Sequence, residues 1–273
     1  MHLPRTYLFV PGDRPERFAK ALASGADAVV IDLEDAVAPA AKVEARDTVR
    51  QFLAAADAAV RERIVIRIND ESTPWYAGDL AMLLGSHAGQ VMLPKTERAE
   101  TVGLLCARCP GIAVLALVET ARGVLAAEAL AIAPGVQRLV FGTLDYALDL
   151  DLSGDPLGLD YAASRLALAS RAAGIAPPVA GVTAALDDEA QLLADLARAR
   201  AHGFSAKLCI HPRQVAAIHT ALAPSPDELS WAQRVMRAMA AAGQGAGAVQ
   251  LDGRMIDKPV IERARRVIAR AAR

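Results

Sequence analysis

Two carboxylates at the ends of successive apolar runs are the residues of this sequence best placed to do chemistry. Glu119 closes Val114-Leu115-Ala116-Leu117-Val118, and Asp145 closes the next run, Leu139-Val140-Phe141-Gly142-Thr143-Leu144. Neighbouring strands of a parallel sheet lie roughly 5 Å apart, so two anions would crowd one place. At about 4 Å, with an effective dielectric near that of a protein surface, their repulsion is on the order of 4 kcal/mol. Either one binds a proton or a divalent cation sits between them, and we favour the cation. Hard oxygen ligands, few and open to water, suit Mg2+. The alternative is that each carboxylate caps the helix after its strand or pairs with an arginine such as Arg67 or Arg122. No histidine or cysteine cluster argues for zinc.

Other strand ends carry charge as well. Arg67, in Ile64-Val65-Ile66-Arg67-Ile68-Asn69, supplies a permanent cation whose fork can grip a carboxylate or steady an enolate oxygen; its structural alternative is an ion pair with Glu34 or Asp35. Period-two alternation sends Asp32 and Glu34 to one face and Asp35 to the other. Asp13, followed by Pro15 and Glu16, reads as an N-cap with a capping-box acid, while Arg14 and Lys20 beside that helix start favour a phosphate ligand. Lys95 follows Pro94 at the end of the fourth run. His211 is either a base or a rim hydrogen-bonder. Asp257 is either the cap before Pro259 or, on a lid, a general acid or base.

These residues need a scaffold that brings strand ends together. Eight short apolar runs, 7–10, 28–31, 64–68, 91–93, 114–118, 139–141, 179–182 and 206–210, alternate with helical stretches. Helix starts are marked at Asp13, Thr73, Thr96 and Asp187, and stops at Gly25, Gly174 and Gly203. Eight β/α units predict a closed TIM barrel over residues 1–224, with its polar C-terminal strand ends as the active face. A doubly wound open sheet competes, but it would gather its ligand at one switch point. Residues 225–273 form a helical and hairpin extension: a helix over 227–242, a hinge over 243–247, a hairpin around Asp252-Gly253 and a last helix led by Pro259. A jointed terminal piece suits a lid.

Composition narrows the partners. At 273 residues with 53% hydrophobic content the chain can build a sizeable core, and a formal charge of −1 gives no field for nucleic acid or an anionic membrane. Pro11-Gly12 interrupts the N-terminus before a signal-peptide core develops, and no long apolar run follows, so a soluble cytoplasmic protein is expected. Cys106 and Cys109 lack a second pair or nearby histidine and read as helix-face thiols, and Cys209 reads as core. The acidic stretch Asp149-Leu150-Asp151 resembles a calcium loop but follows a strand and lacks the terminal glutamate.

Taken together, Pro11-Gly12-Asp13-Arg14-Pro15-Glu16-Arg17-Phe18, Ile31-Asp32-Leu33-Glu34-Asp35, Arg67-Ile68-Asn69, Met92-Leu93-Pro94-Lys95, Leu117-Val118-Glu119-Thr120-Ala121-Arg122-Gly123, Phe141-Gly142 with Asp145, Cys209-Ile210-His211-Pro212 and Gly253-Arg254-Met255-Ile256-Asp257-Lys258-Pro259 resemble the citrate lyase β-subunit-like CoA ester lyases of the HpcH/HpaI aldolase superfamily. The resemblance implies a Mg2+-dependent barrel, usually trimeric (or hexameric), whose C-terminal segment lids a neighbouring subunit. It implies cleavage or formation of the C–C bond of a 3-hydroxyacyl-CoA such as malyl-CoA or citryl-CoA, giving acetyl-CoA and a 2-oxo acid. By position it makes Glu119 and Asp145 the metal ligands and Arg67 the substrate anchor. Arg14 and Lys20 become CoA contacts and Asp257 the lid acid or base supplied in trans; Glu34, Asp35 and Lys95 join the substrate-binding set. Malate-synthase-like or thioesterase action, a non-catalytic CoA-ester binding protein and a partner-dependent β subunit are the alternatives. The chain departs from the family at Leu144, where an acid is usual, and at Ala180, where an aspartate is expected.

Overall fold

The computed structural model describes residues 3–242 and 249–271. Eight parallel strands close into a barrel in sequence order: β1 (Thr6–Pro11), β2 (Ala28–Asp32), β3 (Ile64–Arg67), β4 (Gln90–Leu93), β5 (Ala113–Val118), β6 (Val136–Phe141), β7 (Ala176–Ala180) and β8 (Ala206–Cys209), with β1 pairing back to β8. Helices connect successive strands, as a parallel sheet requires, because each crossover must return the chain to the same end. Glycines in the left-handed region follow several of these helices, at Gly25 (φ 84°), Gly174 (φ 72°) and Gly203 (φ 96°), where a side chain would strain the reversal.

The barrel interior is an apolar column. Tyr7, Ala28, Val30, Val65, Met92, Leu115, Leu117, Val140, Val179, Ala206 and Leu208 fill it. Each fully buried large side chain of this kind stabilises by roughly 1.5–3 kcal/mol relative to exposure. Since every second residue of a strand faces inward, this column fixes what stands at its C-terminal end. Two residues past Val30 is Asp32; two past Val65 is Arg67; two past Leu117 is Glu119; two past Val140 is Gly142. At the opposite end Arg138, 2% exposed, donates to the carbonyls of Pro4 and Pro177 and to Ser205 Oγ, closing the floor with its own hydrogen bonds.

The chain divides into two compact units, Met1–His219 and Thr220–Arg273. In the second, the helix Pro226–Ala242 and the final helix Lys258–Ala271 share an apolar cluster of Ala232, Val235, Ile256, Ala264 and Val267, with Arg263 stacked 4.9 Å over Trp231. A hairpin, β9 (Val249–Leu251) and β10 (Arg254–Ile256), turns at Asp252 (φ 51°) and Gly253 (φ 72°), the positive-φ pair that a tight two-residue hairpin demands. The hinge expected over 243–247 lies outside the described residues.

Local details differ from expectation. β6 starts three residues earlier than the apolar run, and β7 ends at Ala180 although the run continues to Val182. The helix expected to begin at Asp187 is capped by Asp188, which accepts from Gln191 N–H at 2.9 Å. Asp13 caps nothing: the first short helix, Pro15–Arg17, has Arg14 at its N-cap position without a side-chain bond. Proline at the helix start already removes a donor that a cap would satisfy. Cys106 and Cys209 follow the sequence reading, whereas Cys109 is buried just past the end of the helix Ala99–Arg108 rather than on its face. Cys106 Sγ donates to the Pro134 carbonyl, and Cys209 is buried deeply enough for its thiol to be pushed up to about 12. Among the described residues no helix is long and apolar enough to cross a membrane.

Candidate active site

A cleft of about 910 Å³ opens over the C-terminal end of the barrel, floored by Leu117 and Leu208 and lined by Arg67, Glu119, Asp145 and Lys20 among others. One side of it is a closed ionic cluster. Asp32 stands opposite Arg67 in the β2–β3 register, and the guanidinium grips it with two bonds, Nε to Oδ1 at 2.7 Å and Nη2 to Oδ2 at 2.6 Å. Arg67 Nη1 lies 2.8 Å from Glu34 Oε2 and 3.3 Å from Asp35 Oδ2. Its other face stacks 4.9 Å over the Phe9 ring. Burial works against the charge of Arg67, but the bonds to Asp32 and the fields of Glu34 and Asp35 outweigh it and hold the group firmly protonated.

The alternation expected of Asp32, Glu34 and Asp35 does not hold, because β2 ends at Asp32 and the next residues turn. Asp32 itself makes that turn, accepting from the backbone N–H groups of Glu34 (2.8 Å) and Ala36 (3.0 Å), and all three acids converge on Arg67. Lys42 fixes the loop from behind. Its ammonium donates to the carbonyls of Leu33 and Glu34 and to Asn69 Oδ1, and Asn69 in turn donates to Asp79. Burial lowers the pKa of this lysine, partly countered by Asp32 and Asp79.

The carboxylate pair is different. Glu119 is 3% exposed, and its Oε1 accepts from the backbone N–H of Lys95 at 2.8 Å. Lys95 holds that N–H in place from a left-handed backbone (φ 43°), a conformation uncommon outside glycine. Glycine at position 142 makes room for the acid: a Cβ there would overlap Glu119 Oε2 and would sit 2.5 Å from its Cβ. Burial first, and the charge of Asp145 after the opposing Lys95 bond, push Glu119 up to about 7. Glu34 is raised further, to about 8, chiefly by burial against the lowering effect of Arg67.

Neither carboxylate does the helix capping or ion pairing that could explain it otherwise. The helix after Glu119, Ala121–Leu125, is capped by Thr120, whose Oγ1 accepts from Gly123 N–H at 3.1 Å. Asp145 does not close β6, as expected, but lies in the first turn of the helix Thr143–Asp149, because the strand stops at Phe141. Among the described residues it has no hydrogen-bond or ion-pair partner, and neither acid is paired with Arg67 or Arg122. Two half-committed oxygen donors facing an open cleft fit a hard divalent cation. The candidate site offers only these two acids; no group of three or more His, Cys, Asp or Glu suited to a metal occurs among the described residues.

The predicted phosphate contacts are only partly brought to the cleft. Lys20 lines it, whereas Arg14 is exposed and does not; Arg17, one turn on, and Arg213 line it instead. Lys95 is exposed; burial lowers its pKa, but the charges of Glu34, Asp70, Glu119 and Asp145 together outweigh this and raise it. His211 lines the cleft, with Nδ1 accepting from Arg213 N–H, which leaves the proton of the neutral ring on Nε2. Asp257 sits in the second unit, where Oδ1 faces Val260 N–H at 3.4 Å in the first turn of the final helix, the capping position.

The family model for HpcH/HpaI aldolase/citrate lyase matches residues 5–212, and that for the C–C bond lyases of the TIM-barrel fold matches residues 167–273. The chain belongs to the HpcH/HpaI aldolase/citrate lyase family. Within it, a citrate lyase subunit beta-like protein of Deinococcus radiodurans is 38% identical, covering 99% of this chain and 98% of its own. A (3S)-malyl-CoA thioesterase of Cereibacter sphaeroides is 36% identical over 99% and 95% of the two chains. A crystal structure of CitE from Mycobacterium tuberculosis in complex with magnesium, acetoacetate and coenzyme A superposes with a TM-score of 0.86, at 37% identity and 98% coverage of each chain. The fold of this HpcH/HpaI family member is thus that of its solved relatives, among them complexes of the M. tuberculosis protein with magnesium.

Proposed function

We propose that the protein is a Mg2+-dependent CoA ester lyase that cleaves or forms the C–C bond of a 3-hydroxyacyl-CoA, yielding acetyl-CoA or propionyl-CoA and a 2-oxo acid. The observation that carries it is the uncommitted Glu119–Asp145 pair beside a fully charged Arg67 at one end of an apolar barrel. Glu119 and Asp145 would hold the metal, which supplies Lewis-acid polarisation of the 2-oxo acid oxygens when bound. CoA and oxo-acid complexes of the M. tuberculosis relative support the ligand class.

In the cleavage direction the 3-hydroxyl gives its proton to a carboxylate base, which we take to be Asp257, the C2–C3 bond breaks, and its electron pair passes to the thioester as an enolate while the carbinol carbon becomes the carbonyl of the 2-oxo acid. Arg67 would steady that enolate oxygen as a permanent cation, with Asp32, Glu34 and Asp35 holding its fork in place. Protonation at C2 completes acetyl-CoA. We assign that proton to Asp257 of a neighbouring copy in a homotrimer, and the CoA phosphates to Lys20 and Arg17 rather than to Arg14. Glu34 and Asp35 serve the substrate by fixing Arg67. Such an enzyme belongs in the cytoplasm, where acyl-CoA thioesters are formed and used.

Thioester hydrolysis is the second reading, favoured by the 36% identity to a malyl-CoA thioesterase. One assay separates them: acetyl-CoA, propionyl-CoA and free CoA released from malyl-, methylmalyl- and citryl-CoA, with Mg2+ and with EDTA. Acetyl- or propionyl-CoA formed only with Mg2+ supports the lyase. Free CoA alone supports hydrolysis, and no turnover by the purified chain leaves a binding protein or a partner-dependent subunit.

A further inference from the structure

A second cavity, of about 380 Å³, is lined by residues of β6, β7 and β8 and of the helices Thr143–Asp149, Asp160–Ala172 and Glu189–Ala201. Thr143 and Leu144 line both it and the active-site cleft. Its walls are largely apolar, with Phe141, Leu152, Leu159 and Phe204 among them. Ala206 and Leu208 face the barrel interior, so strand alternation turns Lys207 outward, where it lines this space. Lys207 is 1% exposed, and of its three ammonium donors one has a partner among the described residues, the Gly181 carbonyl at 2.7 Å.

The other charges along the cavity are settled, with one exception. Asp160 is held by two Arg198 nitrogens, at 2.8 and 2.9 Å, and by His202. Asp155 is exposed and caps the short helix Pro156–Leu159 by accepting from Leu157 N–H. Asp195 accepts from Thr183 Oγ1 at 2.5 Å and Gln191 Nε2 at 2.6 Å, but it has no cationic partner among the described residues. Its charge reaches Lys207, countering the burial that pushes the ammonium down to about 8, yet the two do not pair. One apolar cavity thus holds an unpaired ammonium and an unpaired carboxylate. Charges kept from water are costly unless paired, and a ligand with one charge of each sign on an apolar body meets both. A plain carboxylate would meet Lys207 but bring a second anion toward Asp195.

We propose that this cavity binds an apolar α-amino acid, with its carboxylate on Lys207, its ammonium on Asp195 and its side chain against Phe141 and Phe204. The site is separate from the Glu119–Asp145 pair and does not depend on the lyase reading.

The test is calorimetric titration of the full-length, metal-stripped protein near neutral pH, so that the acid pair holds no cation to attract a carboxylate. The probes are L-leucine, isocaproate, which lacks the ammonium, and isoamylamine, which lacks the carboxylate. Leucine is expected to bind about tenfold or more tightly than either single-charge probe, since each loses one charged hydrogen-bonded contact. Lys207→Met should weaken leucine about tenfold or more and leave isoamylamine unchanged, whereas Asp195→Asn should weaken leucine similarly and leave isocaproate unchanged. Ala147→Phe, from a partly exposed position that lines this cavity and not the cleft, should block all three by filling the space. Circular dichroism and the thermal midpoint show which variants fold; if Lys207→Met does not, Asp195→Asn and Ala147→Phe decide. Absence of leucine binding, isocaproate binding as tightly as leucine, or undiminished leucine binding in the folded variants would overturn the proposal.

Discussion

The two acidic regions at the mouth of the barrel are built on opposite principles. At the ends of β2 and β3, three carboxylates surround one arginine, and Asp32 spends its oxygens on Arg67 and on two backbone N–H groups. At the ends of β5 and β6, Glu119 has one backbone donor and Asp145 has no partner among the described residues, and the charge of Asp145 adds to burial in raising the pKa of Glu119. In the first cluster the chain itself supplies the counter-charges of the arginine. In the second, Glu119 is pushed up to about 7 and Asp145 stands unpartnered among the described residues, and perturbed acids facing a cleft make a candidate functional site.

The largest effect expected from breaking this contrast is on catalysis. Glu119→Gln keeps shape and removes the charge, so Mg2+-dependent turnover should fall by about 1,000-fold or more, while metal-free stability at pH 8 stays level or rises; steady-state kinetics and urea unfolding together check both halves. On the other side of the cleft the sign of the stability effect reverses. Arg67→Ala strands Asp32 and Glu34 without their counter-charge, and loss of one partner from a buried pair costs about 3–5 kcal/mol, read as a lowered urea midpoint. Gly142→Ala probes the boundary between the two: its Cβ must displace Glu119, costing about 1–3 kcal/mol and weakening Mg2+ binding about 10–100-fold, measured by calorimetry.

The smallest effect is in pH. Glu119 and Glu34 titrate near 7 and 8 in the folded protein against an ordinary 4.5, so between those values the folded state holds protons that the unfolded chain has released. Their contribution is full below about pH 4.5 and is lost as pH rises through 7 to 8 in the metal-free protein. Thermal midpoints at pH 5.5 and 8.5 should show Mg2+ protecting more at the higher pH, and Glu119→Gln should flatten that difference.

The barrel and its acidic end were legible because period-two alternation and strand spacing are local facts. Arg67 and Glu119 stand where strands 3 and 5 put them. Asp145 was found for its chemistry but misplaced, since nothing local distinguishes Gly142-Thr143 as strand from Gly142-Thr143 as the entry to a helix. The convergence of Asp32, Glu34 and Asp35 was hidden because a turn made by Asp32's own side chain cancels alternation. Lys42, Arg17 and Arg213 were missed for a different reason: each is a basic residue on a helix or loop, and only tertiary placement separates a brace or a rim contact from a solvated charge. Gly142 carried a signal, a glycine directly after a buried strand, whose meaning needs the neighbouring strand's glutamate.

The claim that the β5–β6 acids form a cation site is tested most directly by equilibrium Mg2+ binding to the metal-stripped protein and to Glu119→Gln, Asp145→Asn and Asp35→Asn. The account predicts one Mg2+ bound by the unaltered protein and by Asp35→Asn, with binding lost or weakened at least 100-fold in the other two. Undiminished binding in Glu119→Gln and Asp145→Asn, or loss confined to Asp35→Asn, would contradict it.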